Sequence, residues 1–222
     1  MFHQDSRQLY RVSEFDRLEW LEHGFGTRAS GYWVRTNLVK LRQMHSHVCL
    51  CVDRAPGAPL AGDALLSATP GLLLGIRTAD CLPILIADPR HKAVAAVHAG
   101  WRGSALGVAA KAVQALALHF SSRPEDLQAA LGPGICGRCY MVGPEVARSF
   151  GAWFPELAEA SGPTHLDLVE VNRRQLIQAG LPPQCIYQGA PCTACTPAEF
   201  YSYRRDRSES GRMLSVIGVR PR

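Results

Sequence analysis

The chain has 222 residues, of which 47% are apolar and 19% charged, and its formal net charge is +5. This composition is typical of a globular protein. No apolar run reaches the roughly 18 residues that span a bilayer, so we expect no membrane segment. Lysines and arginines are scattered, which argues against nucleic acid as a partner. The first residues are too polar for a secretion signal, so we expect a cytoplasmic protein with reduced cysteines.

The first candidate site residue follows a glycine-rich turn. The sequence HGFGTR occupies residues 23–28, and its two glycines permit tight backbone geometry. Arg28 comes directly after this turn, so its side chain either points into a site or lies on the surface.

The next stretch, residues 38–52, alternates in polarity. A strand here would place Gln43, His45 and His47 on one face. A single histidine in a strand is usually structural, but three polar side chains that can bind a ligand suggest the wall of a site.

Two apolar runs at the centre of the sequence end in polar clusters. Residues 84–87 and 93–97 predict two strands joined by a turn at residues 88–90. Such a hairpin would bring Cys81, before the first strand, close to His98, after the second. A thiol beside an imidazole is either a soft metal site or a nucleophile with its base.

The pattern changes to a helical period after this hairpin. Residues 104–120 are rich in alanine, with apolar residues at helical spacing, and we predict one helix with Ser104 as its N-cap. Arg102 would then lie near a helix N-terminus, where backbone N–H groups and a guanidinium favour an anion such as phosphate.

The rest of the chain continues to mix helices and strands. We predict helices over residues 144–150 and 167–180, and strands over residues 62–66, 72–76, 127–131, 184–188, 199–204 and 213–219. No repeat or linker divides the sequence, which favours a single domain over residues 1–222.

Three distant residues form the strongest candidate site. His45, Cys81 and His98 suit Zn²⁺, and three protein ligands leave a fourth position open, as in catalytic zinc sites. Without a metal, Cys81 would be a nucleophile activated by His98, with Asp80 orienting the pair. The spacing alone leaves both alternatives open.

Two further clusters have a chemical and a neutral interpretation. The first consists of two C-x-x-C pairs, Cys136 with Cys139 and Cys192 with Cys195. They would suit a structural zinc site, although their separation is far longer than in a zinc ribbon; the alternative is that they are simply reduced cysteines. Interleaved tyrosines and arginines at residues 201–206 could stack on a base and bind phosphate, or form a strand with one solvated face.

Several motifs occur together in an order that resembles one family. These are TADCLPILIAD at residues 78–88, VHAGWRG at 97–103, a Gln-x-His element at 43–45, and FYSYRRD at 200–206. The chain resembles the laccase-domain family, now described as purine nucleoside phosphorylases and formerly as multicopper polyphenol oxidases.

The resemblance implies an α+β fold of two mixed β-sheets packed together and flanked by helices, an α/β/β/α sandwich shared with the catalytic domain of cytotoxic necrotizing factor toxins. It also implies a zinc ion held by His45, Cys81 and His98. The implied activities are phosphorolysis of adenosine, inosine and methylthioadenosine, and deamination of adenosine. The expected ligands are thus a purine nucleoside and phosphate, and we expect a monomer.

The resemblance also suggests residue roles. Arg102 would hold phosphate, with Arg28 and Arg204 as further candidates, and Gln43 belongs to the Gln-x-His element that borders the substrate. Asp80 is a candidate acid or base, beside Cys81 and His98 as the other catalytic residues.

Two departures from the family pattern bear on the pocket. The segment over residues 29–40 is shorter than in most members, which shortens one rim. The usual sequence IGPCCYEVG is replaced by ICGRCYMVG at residues 135–143, so that only Cys139 matches cleanly.

The alternative functions are a metal-free Cys–His hydrolase, which includes the proposed editing of cell-wall precursors, and a non-catalytic nucleoside-binding protein. A copper oxidase is less favoured, because multicopper sites need many histidines in His-x-His pairs, and only His45 and His47 form one here.

Overall fold

The structure is a computed structural model that describes residues 1–30, 37–58 and 60–221. The strands of these ranges are β1 (Phe2–Gln4), β2 (Tyr10–Val12), β3 (Leu21–Phe25), β4 (Leu38–Arg42), β5 (Cys49–Cys51), β6 (Leu60–Ala61), β7 (Ala64–Ser67), β8 (Leu73–Thr78), β9 (Leu82–Asp88), β10 (Ala93–Ala99), β11 (Gln128–Leu131), β12 (Met141–Val142), β13 (Thr164–His165), β14 (Ile186–Tyr187) and β15 (Met213–Val219).

The α-helices of the same ranges are α1 (Ser13–Asp16), α2 (Trp101–Ala105), α3 (Val108–Phe120), α4 (Pro144–Arg148), α5 (Leu168–Gln178) and α6 (Tyr203–Asp206). Across the described ranges, no helix is long and apolar enough to cross a membrane.

The strands form two large mixed sheets and one small ribbon. The first sheet has the order β1-β2-β3-β15-β8-β4-β6, the second has the order β14-β11-β9-β10-β7-β5, and the ribbon pairs β12 with β13. Both large sheets are mixed: β4 runs parallel to β8 and β5 parallel to β7, whereas β15–β8 and β9–β10 are antiparallel. The predicted α+β fold with two mixed sheets is therefore confirmed.

The central strands of the second sheet are buried on both faces. Every residue of β9 and β10 is buried, which explains their continuous apolar sequences. Ile84 and Ile86 face a core that includes residues of α3 and α5, whereas Leu85 and Ala87 face the other large sheet. This double burial holds the β9–β10 hairpin rigidly, and the candidate site lies at the open end of that hairpin, away from its turn.

The alternation of residues 38–52 does not correspond to one strand. The strand β4 ends at Arg42 and β5 begins at Cys49, with a turn between them. His45 lies in this turn with φ of 58°, a left-handed conformation that ends strand pairing. The prediction that Gln43, His45 and His47 share a strand face is therefore wrong. Of the shortened segment over residues 29–40, residues 31–36 lie outside the described part of the chain.

The helix predicted over residues 104–120 is two helices. Gly107, with φ of 76°, separates α2 from α3, and a left-handed residue cannot continue an α-helix. Ser104 is not an N-cap but lies buried within α2, where its hydroxyl accepts a hydrogen bond from Asn172 Nδ2. Arg102 does lie at a helix N-terminus, as predicted, but at that of the short helix α2 rather than of one long helix.

The strand predicted over residues 199–204 is also wrong, because the short helix α6 begins at Tyr203. The Ser202 hydroxyl accepts a hydrogen bond from the Arg205 backbone N–H at 3.2 Å, as a helix N-cap does. The helix predicted over 167–180 is confirmed as α5, whose N-cap Asp167 accepts hydrogen bonds from two backbone N–H groups.

Candidate active site

A cavity of about 820 Å³ opens at the end of the β9–β10 hairpin. Its lining includes the thiol and imidazoles of the central motifs, several arginines, and aromatic side chains. The arginines are Arg42, Arg77, Arg102, Arg204, Arg207 and Arg212. Among the described lining residues, Asp80 carries the sole carboxylate. The cavity is therefore strongly positive and suits an anionic ligand.

His45, Cys81 and His98, here called the three-ligand group, meet at the base of this cavity. Their potential ligand atoms all lie within 4.8 Å of one another. His98 is in β10 opposite Pro83 of β9, which places it beside Cys81, the residue that immediately precedes β9. His45 approaches from the turn after β4, and its ring meets that of His98 edge-on, with 4.9 Å between ring centroids. The structure thus brings together the three predicted metal ligands.

Asp63 organises the three-ligand group, and the sequence analysis did not single it out. Its carboxylate is fully buried and accepts hydrogen bonds from the backbone N–H groups of Met44, His45 and Ser46. The same carboxylate lies 2.8 Å from Nδ1 of His98. One side chain therefore fixes the turn that carries His45 and directs Nε2 of His98 toward the group, as carboxylates beside metal-binding histidines do.

The electrostatics favour a charged thiolate in the three-ligand group. Burial alone would raise the pKa of the Cys81 thiol, but hydrogen bonds with His45 and His98 outweigh burial and lower the pKa to about 6. Burial would lower the pKa of His98, whereas its hydrogen bonds with Asp63 and Cys81 raise the pKa to about 9. A thiolate is the form required both of a metal ligand and of a nucleophile.

The space around the group suits a small metal ion. A Cβ atom added at Gly100 would come within 2.9 Å of His45 Cδ2 and 3.0 Å of Cys81 Sγ, so only glycine leaves the group undisturbed. Two imidazoles and one thiolate are ligands that Zn²⁺ prefers. Donor atoms within 4.8 Å of one another need only small side-chain shifts to bind one ion at about 2.0–2.3 Å. The described residues thus include a Cys/His group that could hold a metal ion.

Asp80 stands beside the three-ligand group in an unusual backbone conformation. Its φ is 84°, which costs energy for a residue with a side chain and is common at functional sites. Both carboxylate oxygens accept hydrogen bonds, one from Thr193 Oγ1 at 2.7 Å and one from the Arg204 backbone N–H at 2.6 Å. This geometry makes Asp80 an anchor for two loops, and its predicted role as acid or base stays a prediction.

Two of the four predicted substrate-binding residues have donors directed at the cavity. The Arg102 guanidinium lies over the Trp101 ring at 4.3 Å. It has no hydrogen bond or ion pair with another described residue, so it is available to a ligand. Arg204 stacks over Tyr140 at 5.0 Å, and one of its side-chain nitrogens donates to the Met141 carbonyl.

The other two predicted substrate-binding residues are engaged with the protein. Gln43 lines the cavity, but its amide exchanges two hydrogen bonds with the Arg77 backbone, at 2.8 and 2.9 Å. Arg28 is not among the described lining residues: its guanidinium donates to the Phe200 carbonyl and pairs with Asp206. Of the two alternatives for Arg28, the structure favours the one outside the cavity, because these partners hold its guanidinium against residues 200–206. Its predicted role in substrate binding stays a prediction.

Fold and site together define a class: a mixed two-sheet α+β protein with a Cys/His group at the base of an arginine-lined cavity. Residues 27–220 match the family model described as multi-copper polyphenol oxidoreductase laccase. The chain therefore belongs to this family, and the resemblance drawn from its motifs is confirmed.

Individual relatives agree with this assignment. The chain is 43% identical over 188 residues to a purine nucleoside phosphorylase of Deinococcus radiodurans, and the aligned region covers 82% of this chain and 70% of that protein. It is 36% identical over 196 residues to adenosine deaminase RL5 of an unknown prokaryotic organism, and that alignment covers 82% of this chain and 74% of that protein. The crystal structure of the Bacillus licheniformis hypothetical protein YfiH matches with a TM-score of 0.87 and 30% identity, covering 99% of each chain.

Proposed function

We propose that this protein is a zinc-dependent purine nucleoside phosphorylase that also deaminates adenosine. One observation carries the proposal: the three-ligand group lies at the base of a cavity of about 820 Å³ whose wall holds six arginines. Such a cavity can hold a nucleoside and an inorganic phosphate side by side. The names of relatives, purine nucleoside phosphorylase and adenosine deaminase, support the same reading.

In this proposal His45, Cys81 and His98 hold the zinc ion, which supplies Lewis acidity for polarising an oxygen of a reactant. Asp63 keeps the proton of His98 on Nδ1, so that Nε2 is directed toward the ion. The depressed pKa of Cys81 keeps its thiol ionised near neutral pH. These residues therefore fix the reacting end of the cavity.

The arginines bind and orient the attacking phosphate. Arg102 offers a planar fork of donors at the edge of the cavity, and such a fork pairs with two phosphate oxygens at once. An oxygen of the hydrogen phosphate held there bonds to C1′ of the nucleoside as the glycosidic C–N bond breaks, and the proton of the hydrogen phosphate passes to the departing purine. Holding both reactants in one cavity removes the entropy cost of their encounter.

Aromatic side chains provide the surface for the purine. Trp101, Tyr140 and Tyr203 line the cavity, and a purine ring stacks on such faces at about 1–3 kcal/mol per base. Tyr203 is 51% exposed, so its ring offers apolar surface that a bound purine would cover. In this proposal the interleaved tyrosines and arginines at residues 201–206 thus contribute to the site through α6 rather than through a strand.

The proposal is tested with purified protein, inosine, and buffers with and without phosphate. We expect release of the base only when phosphate is present, and loss of this release in His98→Ala. His47→Ala is the matched control, because His47 is exposed and is not among the described lining residues. Base release that survives His98→Ala would contradict the proposal.

A second candidate function is a metal-free cysteine hydrolase. It is favoured by the arrangement of Cys81, His98 and Asp63, which has the order of a nucleophile, base and orienting acid. Elemental analysis separates the two functions. A zinc ion that is present in the wild type and lost in Cys81→Ser would support the nucleoside enzyme. An active protein that contains no zinc and is inactivated by alkylation of its thiol would support the hydrolase.

A multicopper oxidase is not proposed, despite the wording of the family description. Multicopper sites need many histidines. Of the described residues, two clusters have metal-binding geometry, one with two histidines and a cysteine and the other with cysteines alone. A single copper ion in the three-ligand group stays the less favoured alternative to zinc.

A further inference from the structure

Four cysteines outside the cavity converge on one point. They come from two C-x-x-C loops that are far apart in the sequence. The four-cysteine cluster consists of Cys136, Cys139, Cys192 and Cys195. Their sulfur atoms all lie within 4.8 Å of one another, and all four residues are free thiols. The long separation that made a zinc ribbon improbable from the sequence is thus removed by the fold.

The distances between the sulfur atoms suit one tetrahedral metal ion. A zinc ion with four thiolates at about 2.3 Å places the sulfurs about 3.8 Å apart. The sulfurs of Cys139 and Cys195, from different loops, are 3.3 Å apart, and the whole group stays within 4.8 Å. Small shifts of side chains would complete the tetrahedron, whereas one disulfide would use only two of the four thiols.

The backbone around the cluster is already arranged as a metal-binding turn. Residues 137–139 form a 3-10 turn in which the Cys139 N–H donates to the Cys136 carbonyl at 3.0 Å. The Cys136 N–H donates to the sulfur of Cys192 at 3.2 Å. Hydrogen bonds from backbone N–H groups to sulfur stabilise a thiolate, as second-layer contacts do in metal sites.

The charge of a four-thiolate zinc site would be partly offset by Arg205. A zinc ion with four thiolates has a net charge of −2. The guanidinium of Arg205 donates to the carbonyls of Thr193 and Ala194, which lie between the cysteines of the second loop. This guanidinium, which also pairs with Asp206, is therefore held directly against the loop that would carry half of the ligands.

We propose that the four-cysteine cluster holds a structural zinc ion, separate from the metal of the three-ligand group. All four positions around this ion are filled by protein, so it has no open position for a substrate. The ion joins loop 132–140 to loop 189–198 and thereby fixes one wall of the cavity. This assignment is independent of the proposed nucleoside activity.

The contacts of the two loops show how this ion would act on the cavity. Thr193 of the second loop donates from its backbone to the Gly134 carbonyl at 3.1 Å and from its hydroxyl to Asp80 at 2.7 Å. Ile135 of the first loop donates to the Asp80 carbonyl at 2.9 Å. Both loops therefore bind Asp80, the neighbour of Cys81. A zinc ion that joins the two loops would help to keep the backbone of Asp80 in its strained conformation.

The test is a count of zinc ions per chain in the full-length protein purified under reducing conditions without chelator. We expect two equivalents in the wild type, one in the double variant Cys139→Ser/Cys195→Ser, and one in Cys81→Ser. The matched control, Cys51→Ser/Cys185→Ser, removes two thiols outside both groups and should retain both equivalents. A double variant that keeps the wild-type zinc content would overturn the proposal.

A second measurement applies where the double variant does not fold. Cobalt(II) replaces zinc in the wild-type protein, and a four-thiolate site gives the intense thiolate-to-cobalt charge-transfer absorption of a tetrahedral sulfur site. We expect this band in Cys81→Ser as well, together with protection of the cluster from alkylation until a chelator is added. Absence of the band, or recovery of a disulfide between these cysteines by mass spectrometry, would overturn the proposal.

Discussion

The substitution Asp63→Asn tests how one buried carboxylate organises the site. The carboxylate accepts hydrogen bonds from three successive backbone N–H groups, from the Ser46 hydroxyl and from His98. An amide has one oxygen where the carboxylate has two, so in either orientation its NH₂ group faces donors. When the NH₂ group faces His98, Nδ1 of that histidine also loses the acceptor that holds its proton in place.

The expected decrease in the free energy of unfolding follows from the hydrogen-bond donors that lose a partner. With the NH₂ group toward His98, the His45 N–H faces another donor; with the opposite orientation, the Met44 and Ser46 N–H groups do. Each buried unsatisfied donor costs about 1–3 kcal/mol, so we expect a loss of about 2–4 kcal/mol in the free energy of unfolding. Loss of a carboxylate partner typically weakens metal binding by about 10–100-fold, and we expect that range for zinc.

The assay has two parts. Urea denaturation of metal-free protein gives the free energy of unfolding, and competition with a chelator gives the zinc affinity. Asp53→Asn is the matched control, because Asp53 is exposed and undergoes the same chemical change. Unfolding and zinc affinity that both remain at wild-type values in Asp63→Asn would refute the reasoning.

Three further predictions concern other residues. Gly100→Ala places a Cβ 3.0 Å or less from two members of the three-ligand group, so we expect at least about tenfold weaker zinc binding, whereas Gly57→Ala, with no atom within 4 Å, should match the wild type in chelator competition. Burial lowers the pKa of His23 to about 3, so below about pH 6.5 the unfolded state binds a proton that the folded state does not, and stability decreases as the pH is lowered. Between about pH 7 and pH 5.5, His23→Gln should therefore lose about 1 kcal/mol less free energy of unfolding than the wild type in urea denaturation. Equal losses would contradict this. Arg102→Ala should raise the KM for phosphate by about tenfold or more, which initial-rate kinetics would show, while Arg138→Ala, exposed and outside the described lining residues, should leave that KM unchanged.

The sequence predicted the parts of the site that depend on local pattern. Two apolar runs joined by a short turn form an antiparallel hairpin, so the meeting of Cys81 and His98 followed from strand pairing alone. The helix α5 was equally accessible, because Asp167 is a side-chain cap and Gly180, with φ of 102°, ends the helical segment.

The sequence did not predict the features that depend on distant partners. The turn at His45 exists because Asp63, eighteen residues later in the sequence, accepts its backbone N–H groups, and alternation in polarity carries no sign of this. The helix at Tyr203–Asp206 is similar, since a tyrosine-rich sequence suggests a strand until the Ser202 cap and the Asp80 carboxylate bind its backbone.

The role of the four-cysteine cluster could not be decided from spacing for the same reason. Its two halves are 56 residues apart, and the two loops meet through tertiary contacts: Thr193 and Ile135 both bind Asp80, and Thr193 also binds Gly134. Metal sites assembled from distant loops are defined by tertiary structure, and local motifs alone do not identify them.

The most direct test of the proposed function is a nucleoside assay on zinc-loaded protein with and without phosphate. The proposed function predicts release of hypoxanthine from inosine that depends on phosphate, yields ribose 1-phosphate in equal amount, and disappears in His98→Ala but not in His47→Ala. Release of no base from any purine nucleoside by zinc-loaded protein, or release that is unaffected by phosphate and by His98→Ala, would contradict it.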